Sequence, residues 1–187
     1  MCYKKLMLFL LLTTGMIGCL CPYDDPYWNI SSFTMSLTDK SFNAPVNGVI
    51  TGDSIQLAIQ FRAEYVASNA IPIRDFVLGS ALASLDCADP GDAGMKDPVT
   101  SLTVTSSKIF AGVAAGEPLN DFLFLWRNMM ISEWVDKSAS WRFSDTRRMP
   151  ITFTERPTPG STHTFTVRIE TESGTVFENS TEAVRWD

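Results

Sequence analysis

The sequence predicts a mainly β domain, folded as a single antiparallel β-sandwich with one short amphipathic helix. Apolar and polar residues alternate over residues 55–62 and again over 164–170, which is the period of strands that bury one face. Turn-forming residues separate roughly seven to nine such short segments, an arrangement typical of immunoglobulin-like sandwiches. Over residues 118–135 apolar residues instead recur at three- and four-residue steps, which indicates the helix.

Alternation or a short apolar run predicts each strand. The predicted strands are residues 33–37, 55–62, 76–85, 102–104, 141–143, 151–153, 164–170, 176–177 and 184–186. The run at 76–85 also admits a helical turn, because it contains Ala81-Leu82-Ala83. Residues 43–52 and 86–94 are rich in Pro, Gly, Asn and Asp, and they are predicted as loops. Glu172-Ser173-Gly174 predicts a hairpin turn between the strands at 164–170 and 176–177.

The helix prediction depends on one set of apolar residues, namely Leu119, Phe122, Leu123, Trp126, Met129, Met130 and Trp134. Their spacing places them on one face of a helix that covers a sheet edge or crosses between sheets. Asn120 or Asp121 would cap its first turn, because a short polar side chain can accept hydrogen bonds from the unpaired N–H groups there. We expect the helix to be one or two turns shorter than the pattern.

The N-terminal residues predict export. Lys4 and Lys5 precede an unbroken apolar run at residues 6–12, and residues 13–18 carry no charge. The run is too short to span a bilayer, which takes about 20 apolar residues, but it fits the h-region of a secretory signal peptide. The alternative interpretation is a buried N-terminal helix.

Met16-Ile17-Gly18-Cys19 resembles a lipobox, in which a small residue precedes the cysteine that receives a diacylglycerol thioether. Cleavage between Gly18 and Cys19 would make Cys19 the lipid-bearing first residue. Two or more acyl chains anchor a protein stably, since each buried methylene contributes about 0.8 kcal/mol. The predicted organisation is a signal peptide at residues 1–18, a lipidated tether at 19–27 and a β-sandwich domain at 28–187, with the membrane as a partner.

The net charge argues against one class of partner, and the cysteine content allows one disulfide. The formal net charge is −6, and loss of Lys4 and Lys5 with the signal peptide makes the chain more acidic by two charges. An acidic body argues against nucleic acid as a partner. Cys21 and Cys87 remain besides Cys19, and export favours a disulfide between them. Two free, buried thiols are the alternative, because geometry decides the pairing.

Residues 87–122 carry an Asp-Pro-Gly loop, Lys96-Asp97-Pro98, an alternating strand and the run Gly-Glu-Pro-Leu-Asn-Asp. Together with the tail at 165–186, this stretch resembles Bacteroides-type outer-membrane lipoproteins that contain a domain of unknown function. The resemblance covers about half of the mature chain, implies an outer-membrane setting and supplies no catalytic residue. Acidic residues soon after the lipidated cysteine of such proteins resemble a surface-export signal, and Asp24 and Asp25 stand there. The cell surface and the periplasmic face both remain open.

Candidate catalytic and metal-binding residues are few. His163 is the only histidine, and we expect it to be exposed and without a chemical role. Asp89, Asp92 and Asp97, together with Asp86, are weak candidates for calcium, because their spacing departs from the twelve-residue calcium loop. Turn formation is the favoured interpretation of these residues. The sequence contains no nucleophile elbow and no phosphate-binding loop, so we predict no catalytic residue and no cofactor.

Aromatic and basic residues give the remaining signals. Exposed tryptophans could stack on sugar rings, but we expect most of the five to lie in the core. They are Trp28, Trp126, Trp134, Trp141 and Trp186. A basic spot formed by Arg142, Arg147 and Arg148 could contact an anionic glycolipid, although a solvated turn is the favoured interpretation.

Three functional hypotheses follow. The first is a non-enzymatic lipoprotein with an interaction or structural role at the outer membrane, where its partner is an unidentified protein or glycan. The second is a glycan-binding surface lipoprotein associated with nutrient uptake. The third is an unrecognised hydrolase, which would need a cleft with two facing carboxylates and perturbed titration. Tryptophans exposed on one face would favour the second hypothesis, and burial of all five would remove its basis.

Overall fold

The structure is a computed structural model that describes residues 26–39, 44–45, 48–50, 55–67 and 89–187. Several predicted features lie outside these residues: the signal peptide and lipobox with Gly18 and Cys19, the acidic pair Asp24 and Asp25, the cysteines Cys21 and Cys87, and the strand at 76–85. In the described part of the chain, no helix is long and apolar enough to cross a membrane.

Strands dominate the described residues, as the alternation predicts. They are β1 (Tyr27–Asp39), β2 (Val49–Ile50), β3 (Ile55–Val66), β4 (Gly94–Met95), β5 (Val99–Ser106), β6 (Leu123–Leu125), β7 (Arg148–Phe153), β8 (Thr162–His163), β9 (Phe165–Thr171), β10 (Val176–Ser180) and β11 (Val184–Trp186). The helical elements are two short α-helices, α1 (Ile131–Asp136) and α2 (Phe143–Thr146), and the 3₁₀ turns Asn120–Phe122, Trp126–Asn128 and Ser138–Ser140. The protein is therefore mainly β, and β1 begins at the last residue of the predicted tether.

The described strands form three sheets. The five-stranded sheet has the order β4-β1-β3-β7-β6, and all its neighbours are antiparallel except β1 and β4. An antiparallel sheet has the order β10-β9-β5. In the sheet β2-β11-β8, β11 is parallel to β2 and antiparallel to β8. The longest pairing joins β1 to β3, with Phe33 opposite Phe61 and a bulge between Ile30 and Ser32.

Alternate residues of the paired strands form a hydrophobic core. The inward residues of the two central strands are almost completely buried: Ile55, Leu57, Ile59 and Phe61 on β3, and Phe165, Val167 and Ile169 on β9. Full burial of a side chain of this size contributes about 1.5–3 kcal/mol. The side-chain amide of Asn179 on β10 donates to the carbonyl oxygen of Phe33 on β1 at 3.1 Å, which ties the two sheets together.

Most of the sequence-predicted strands in the described residues are confirmed. They are the strands at residues 33–37, 55–62, 102–104, 151–153, 164–170, 176–177 and 184–186. The hairpin turn is also confirmed: Gly174 has φ +83°, and its N–H donates to the carbonyl oxygen of Thr171 at 2.9 Å. Glycine adopts a φ of this sign without the steric cost that a Cβ would bring, so the β9–β10 pairing begins directly after the turn.

The helix predicted over residues 118–135 is wrong for most of its length. Leu123 and Leu125 lie in β6, opposite Phe153 and Ile151 of β7, and only Ile131–Asp136 is α-helical. The same apolar spacing also suits a short strand between two turns. Pairing with β7 buries both leucines, so tertiary contacts override the local helical pattern.

Two smaller predictions are corrected as well. Asn120 caps no α-helix; its side chain donates to the carbonyl oxygen of Leu102 at 2.7 Å and accepts from the N–H of Val104 at 3.1 Å. It therefore occupies the edge of β5 as a neighbouring strand would. The strand predicted at residues 141–143 is wrong: Trp141 follows the 3₁₀ turn Ser138–Ser140, and Phe143 begins α2. Both side chains pack against the core, so their two-residue spacing resembles that of a strand.

Candidate ligand-binding pocket

An open pocket of about 490 Å³ lies at the β7–β6 end of the five-stranded sheet, beside α2. Its lining consists of Trp126, Trp141, Asp145, Arg148 and Pro150. Three parts of the chain supply these residues: the turn after β6, the α2 segment, and β7. The pocket therefore combines two indoles with one carboxylate and one guanidinium.

A tight turn after β6 positions Trp126. The N–H of Leu125 donates to the carbonyl oxygen of Met129 at 2.8 Å, and the N–H of Met129 donates to the carbonyl oxygen of Trp126 at 3.3 Å. Asn128 has φ +58°, in the left-handed region that asparagine enters more readily than most residues. The turn therefore fixes the backbone that carries the Trp126 indole.

Three hydrogen bonds hold Trp141. Its N–H donates to the carbonyl oxygen of Ser138 at 3.2 Å, and its indole Nε1–H donates to that of Trp134 at 3.2 Å. Its own carbonyl oxygen accepts the Nε1–H of Trp28 at 2.8 Å. Trp28 and Trp134 are both 0% exposed, so two of the three partners belong to the core. The Trp141 ring is thus held in place before a ligand arrives, which lowers the entropic cost of binding.

The two pocket indoles stand side by side. Their ring centroids lie 5.8 Å apart with an interplanar angle of 73°, an edge-to-face arrangement. Both rings are half-buried, packing against the core while also lining the pocket. Trp28, Trp134 and Trp186 lie in the core, which confirms that most of the five tryptophans are buried. The two half-buried tryptophans are therefore gathered at one place.

Asp145 and Arg148 supply the charged part of the lining. Asp145 lies on α2, and Arg148 is the first residue of β7. Arg148 and Pro150 share the outer face of β7, since the alternate residues Met149 and Ile151 are 0% exposed. A carboxylate accepts hydrogen bonds from hydroxyl groups, and a guanidinium donates to hydroxyls or to anions.

This combination suits a ring-shaped polar ligand. An indole face packs against the apolar C–H face of a sugar ring, while charged side chains bind its hydroxyl groups. Hydrolysis of a glycosidic bond generally uses two carboxyl groups across the bond. The described lining holds one carboxyl group, that of Asp145. The pocket therefore offers contacts for binding.

The sequence signals only part of this pocket. The sequence indicates the two tryptophans and the basic spot as candidates, whereas no sequence pattern points to Asp145 or Pro150. The pairing of β6 with β7 brings Trp126 close to Arg148, and no local pattern shows such a long-range contact. The usable signal is the presence of Arg142, Arg147 and Arg148 within the seven residues that follow Trp141.

The structure places the weak calcium candidates in a turn and at a hairpin. The N–H of Asp92 donates to the carbonyl oxygen of Asp89 at 3.1 Å. The Asp97 carboxylate accepts from the hydroxyls of Thr171 and Ser173, both at 2.7 Å, and from the N–H of Ser173 at 2.8 Å. Burial favours the neutral acid, but these hydrogen bonds outweigh it and hold the pKa of Asp97 below its usual value. Among the described residues, no three Asp, Glu, His or Cys side chains are grouped closely enough to hold a metal ion.

His163 is buried, so the prediction that it is exposed is wrong. Its side chain is 1% exposed, with Nδ1 2.8 Å from the Oγ of Ser106 and Nε2 2.8 Å from the Oγ of Ser161. Because the Ser161 hydroxyl donates to the carbonyl oxygen of Thr158, it accepts from Nε2–H, and Ser106 then donates to Nδ1. Burial, reinforced by the positive charge of Lys108, lowers the pKa of His163 below 6.5.

The surroundings of His163 explain its burial. The imidazole stacks on Phe165 at a centroid distance of 5.9 Å and meets the edge of Phe110 at 6.1 Å. A polar ring can enter such an aromatic site when both of its nitrogens have partners. Ser106 lies 57 residues away in the sequence, so the polar stretch around His163 does not reveal this partner.

Comparison with known protein families, with curated proteins and with solved structures finds no match to this chain. Its function is therefore inferred from its own residues and geometry.

Proposed function

We propose that the chain is a lipid-anchored, non-enzymatic binding protein of the outer membrane, and that it binds a saccharide in the Trp126–Trp141 pocket. The observation that carries this proposal is the pair of half-buried indoles that line an open pocket. Burial of a large apolar ring is favourable, so most tryptophans lie deep in a fold. Two adjacent rings that remain partly in solvent, one of them held by three hydrogen bonds, suit a ligand that completes their packing.

The chemistry of the lining favours a sugar over a purely apolar ligand. A hydrocarbon would leave the charges of Asp145 and Arg148 facing an apolar surface, which is costly when they lose water. A sugar ring offers a C–H face to the indoles and hydroxyl groups to the charged side chains. The glycan-binding hypothesis therefore has a specific structural support that a purely structural role lacks.

The anchor is proposed from the sequence. Cleavage after Gly18 would leave Cys19 to carry the lipid, and Asp24 and Asp25 would support export to the cell surface. A fully extended tether over residues 19–27 spans at most about 30 Å. Trp28, directly after the tether, donates to the carbonyl oxygen of Trp141, so the pocket would lie close to the membrane, where it could bind a saccharide before its uptake.

We also propose a sandwich architecture of immunoglobulin-like type. The five-stranded sheet and the β10-β9-β5 sheet would form its two layers. Two observations support the stacking: the inward residues of β3 and β9 belong to one hydrophobic cluster, and the Asn179–Phe33 hydrogen bond joins β10 to β1.

A glycan array probed with the full-length protein in detergent tests the pocket. Trp126→Ala removes one stacking surface, and we expect the affinity for bound saccharides to fall about tenfold or more. Phe177→Ala is the matched control, because it truncates a half-buried aromatic residue of β10 that does not line the pocket. Absence of saccharide binding by the wild type, or equal losses in the two variants, would contradict the proposed function.

A membrane-impermeant protease applied to intact cells tests the anchor and its orientation. We expect the wild type to be cleaved, Cys19→Ala to be lost from the membrane fraction, and Asp24→Ala/Asp25→Ala to become protected. A protected wild type would place the domain on the periplasmic face. Membrane retention of Cys19→Ala would overturn the lipid anchor.

A further inference from the structure

The segment that supplies Trp141, Asp145 and Arg148 to the pocket carries a concentration of positive charge. Arg142, Arg147 and Arg148 lie within eight residues that start at Trp141, and all three are exposed. The acid in the same eight residues is Asp145. This concentration contrasts with the chain as a whole, whose formal net charge is −6. A basic patch on an acidic protein gives the pocket a field that attracts anions.

Two exposed arginines elsewhere in the described chain are engaged with acidic neighbours. Arg168 pairs with Glu170 and Glu178, and Arg185 pairs with Asp187. Within the described residues, Arg142 and Arg147 belong to no ion pair of this kind. The charge of these two arginines is therefore not neutralised by an acidic side chain of the described chain, and each of them directly adjoins a pocket-lining residue in the sequence.

The fold uses the backbone of this segment. The N–H of Arg147 donates to the carbonyl oxygen of Phe143 at 2.8 Å, and its carbonyl oxygen accepts from the N–H of Phe61 at 3.0 Å. The carbonyl oxygen of Arg142 accepts from the hydroxyl of Thr146 at 3.1 Å. The guanidinium groups of Arg142 and Arg147 take no part in these bonds. The fold therefore uses only the main chain at these two positions and does not itself require arginine there.

We propose that the pocket binds an acidic saccharide, one that carries carboxylate or sulfate groups. This inference rests on the proposed function and names its ligand class. The indoles of Trp126 and Trp141 would pack against the sugar ring, and Asp145 would accept from its hydroxyl groups. The acidic group would point toward Arg148 and the two neighbouring arginines, since a guanidinium can donate two parallel hydrogen bonds to a pair of oxygens of a carboxylate or a sulfate.

Matched saccharides provide the test. The full-length protein in detergent is titrated with an oligogalacturonide and with a neutral galacto-oligosaccharide of equal length. We expect the acidic ligand to bind about tenfold more tightly, and its advantage to shrink when NaCl rises from about 0.05 M to about 0.5 M. Arg142→Gln/Arg147→Gln is expected to weaken acidic binding about three- to tenfold and to leave neutral binding unchanged.

Arg185→Gln is the control, because it removes an exposed arginine of β11 that lies outside the basic segment at residues 141–148. Equal affinities for the acidic and neutral ligands, or an unchanged preference in Arg142→Gln/Arg147→Gln, would overturn the inference and leave the proposed function standing. Failure of both ligands and of a full glycan array to bind would overturn both proposals. Circular dichroism of each variant verifies that the fold is retained.

Discussion

Two parts of the molecule hold their backbone in different ways. The β10-β9-β5 sheet is a ladder of main-chain pairs with one register shift, between Val99 and Ser101; Val176 lies opposite Glu170 on one side of β9 and Ser106 opposite Phe165 on the other. The segment at residues 119–147, here called the pocket segment, contains no strand or helix longer than six residues. Its shape depends on a series of short turns.

Side chains supply many of the bonds that fix the pocket segment. The Nε1–H of Trp28 donates to the carbonyl oxygen of Trp141, and the hydroxyl of Ser138 donates to that of Val99 at 3.1 Å. A ladder tolerates any side chain that suits its face, because its bonds are made by the main chain. The pocket segment depends on particular side chains, so single substitutions should damage it more than the sheet.

The largest expected effect comes from Gly94→Ala, which disrupts the contact between β4 and the pocket segment at Ala139. Gly94 has φ +106°, and a Cβ there would overlap the carbonyl oxygen of Ala139. We expect the free energy of unfolding to fall by about 3 kcal/mol, from backbone strain and steric overlap together. Urea denaturation followed by tryptophan fluorescence measures it.

Gly112→Ala is the matched control for this prediction. Gly112 also has a positive φ, +85°, but nothing lies within 4 Å of the position that a Cβ would take. We expect a loss of about 1–2 kcal/mol from the backbone conformation alone. Equal denaturation midpoints for the two variants would mean that the close approach to Ala139 is unimportant.

Trp28→Phe should have the next largest effect, because it removes the donor that holds Trp141. We expect the free energy of unfolding to fall by about 2–3 kcal/mol, from lost packing and an unpaired carbonyl group. Trp186→Phe is the control: Trp186 is 3% exposed, and its Nε1–H has no hydrogen-bond partner in the described structure. Saccharide affinity should fall only in Trp28→Phe, and an equal fall in both variants would argue against positioning of Trp141 by Trp28.

The difference between main-chain ladders and segments held by side-chain bonds also determines which elements could be predicted from the sequence. Ile55, Leu57, Ile59 and Phe61 reveal their strand because a ladder strand with one buried face imposes a period of two on its own residues. The hairpin at Gly174 is also local, since the turn and both strands lie within a few residues. Features of this kind are readable without knowledge of the rest of the fold.

The pocket segment was beyond such local rules. Leu123 and Leu125 fit a helical spacing as well as a strand, and only the pairing with β7 decides between them. His163 likewise depends on Ser106, which is remote in the sequence. Trp126 and Trp141 could be named as candidates for stacking, but their contact with each other is a product of the folded chain.

A smaller effect is expected in the sheet, where Asp97 fastens the β9–β10 hairpin. Asp97→Asn removes the charge and one acceptor from the three hydrogen bonds made by Thr171 and Ser173, and should cost about 1–2 kcal/mol at neutral pH. Since the folded pKa lies below 3.8, this stabilisation is present above pH 3.8 and is lost as the pH falls through the folded pKa. The urea midpoints of the wild type and of Asp97→Asn should therefore differ at neutral pH and converge as the pH falls through the folded pKa of Asp97. Asp89→Asn, which changes an exposed turn residue, is the control. A difference between the midpoints of the wild type and Asp97→Asn that does not change with pH would contradict the role of the charge.

The smallest effect concerns His163 on β8, whose side-chain hydrogen bond to Ser106 joins β8 to the end of β5. Because the folded pKa lies below 6.5, the neutral imidazole stabilises the fold above pH 6.5, and this contribution is lost as the pH falls through the folded pKa. One group changes the free energy of unfolding by at most about 1.4 kcal/mol per pH unit. As the chain has a single histidine, the slope of stability between about pH 7 and pH 5 reports mainly this residue.

Two variants separate this contribution from that of the carboxylates. His163→Gln should abolish the slope in that window. Lys108→Gln should make the total loss of stability smaller, because without the positive charge of Lys108 the folded pKa of His163 lies closer to 6.5 and the window between the two pKa values narrows. An unchanged slope in His163→Gln would assign the pH dependence to another group. A smaller total loss in Lys108→Gln, together with the abolished slope in His163→Gln, would show that β8, like the pocket segment, depends on one polar, buried side chain.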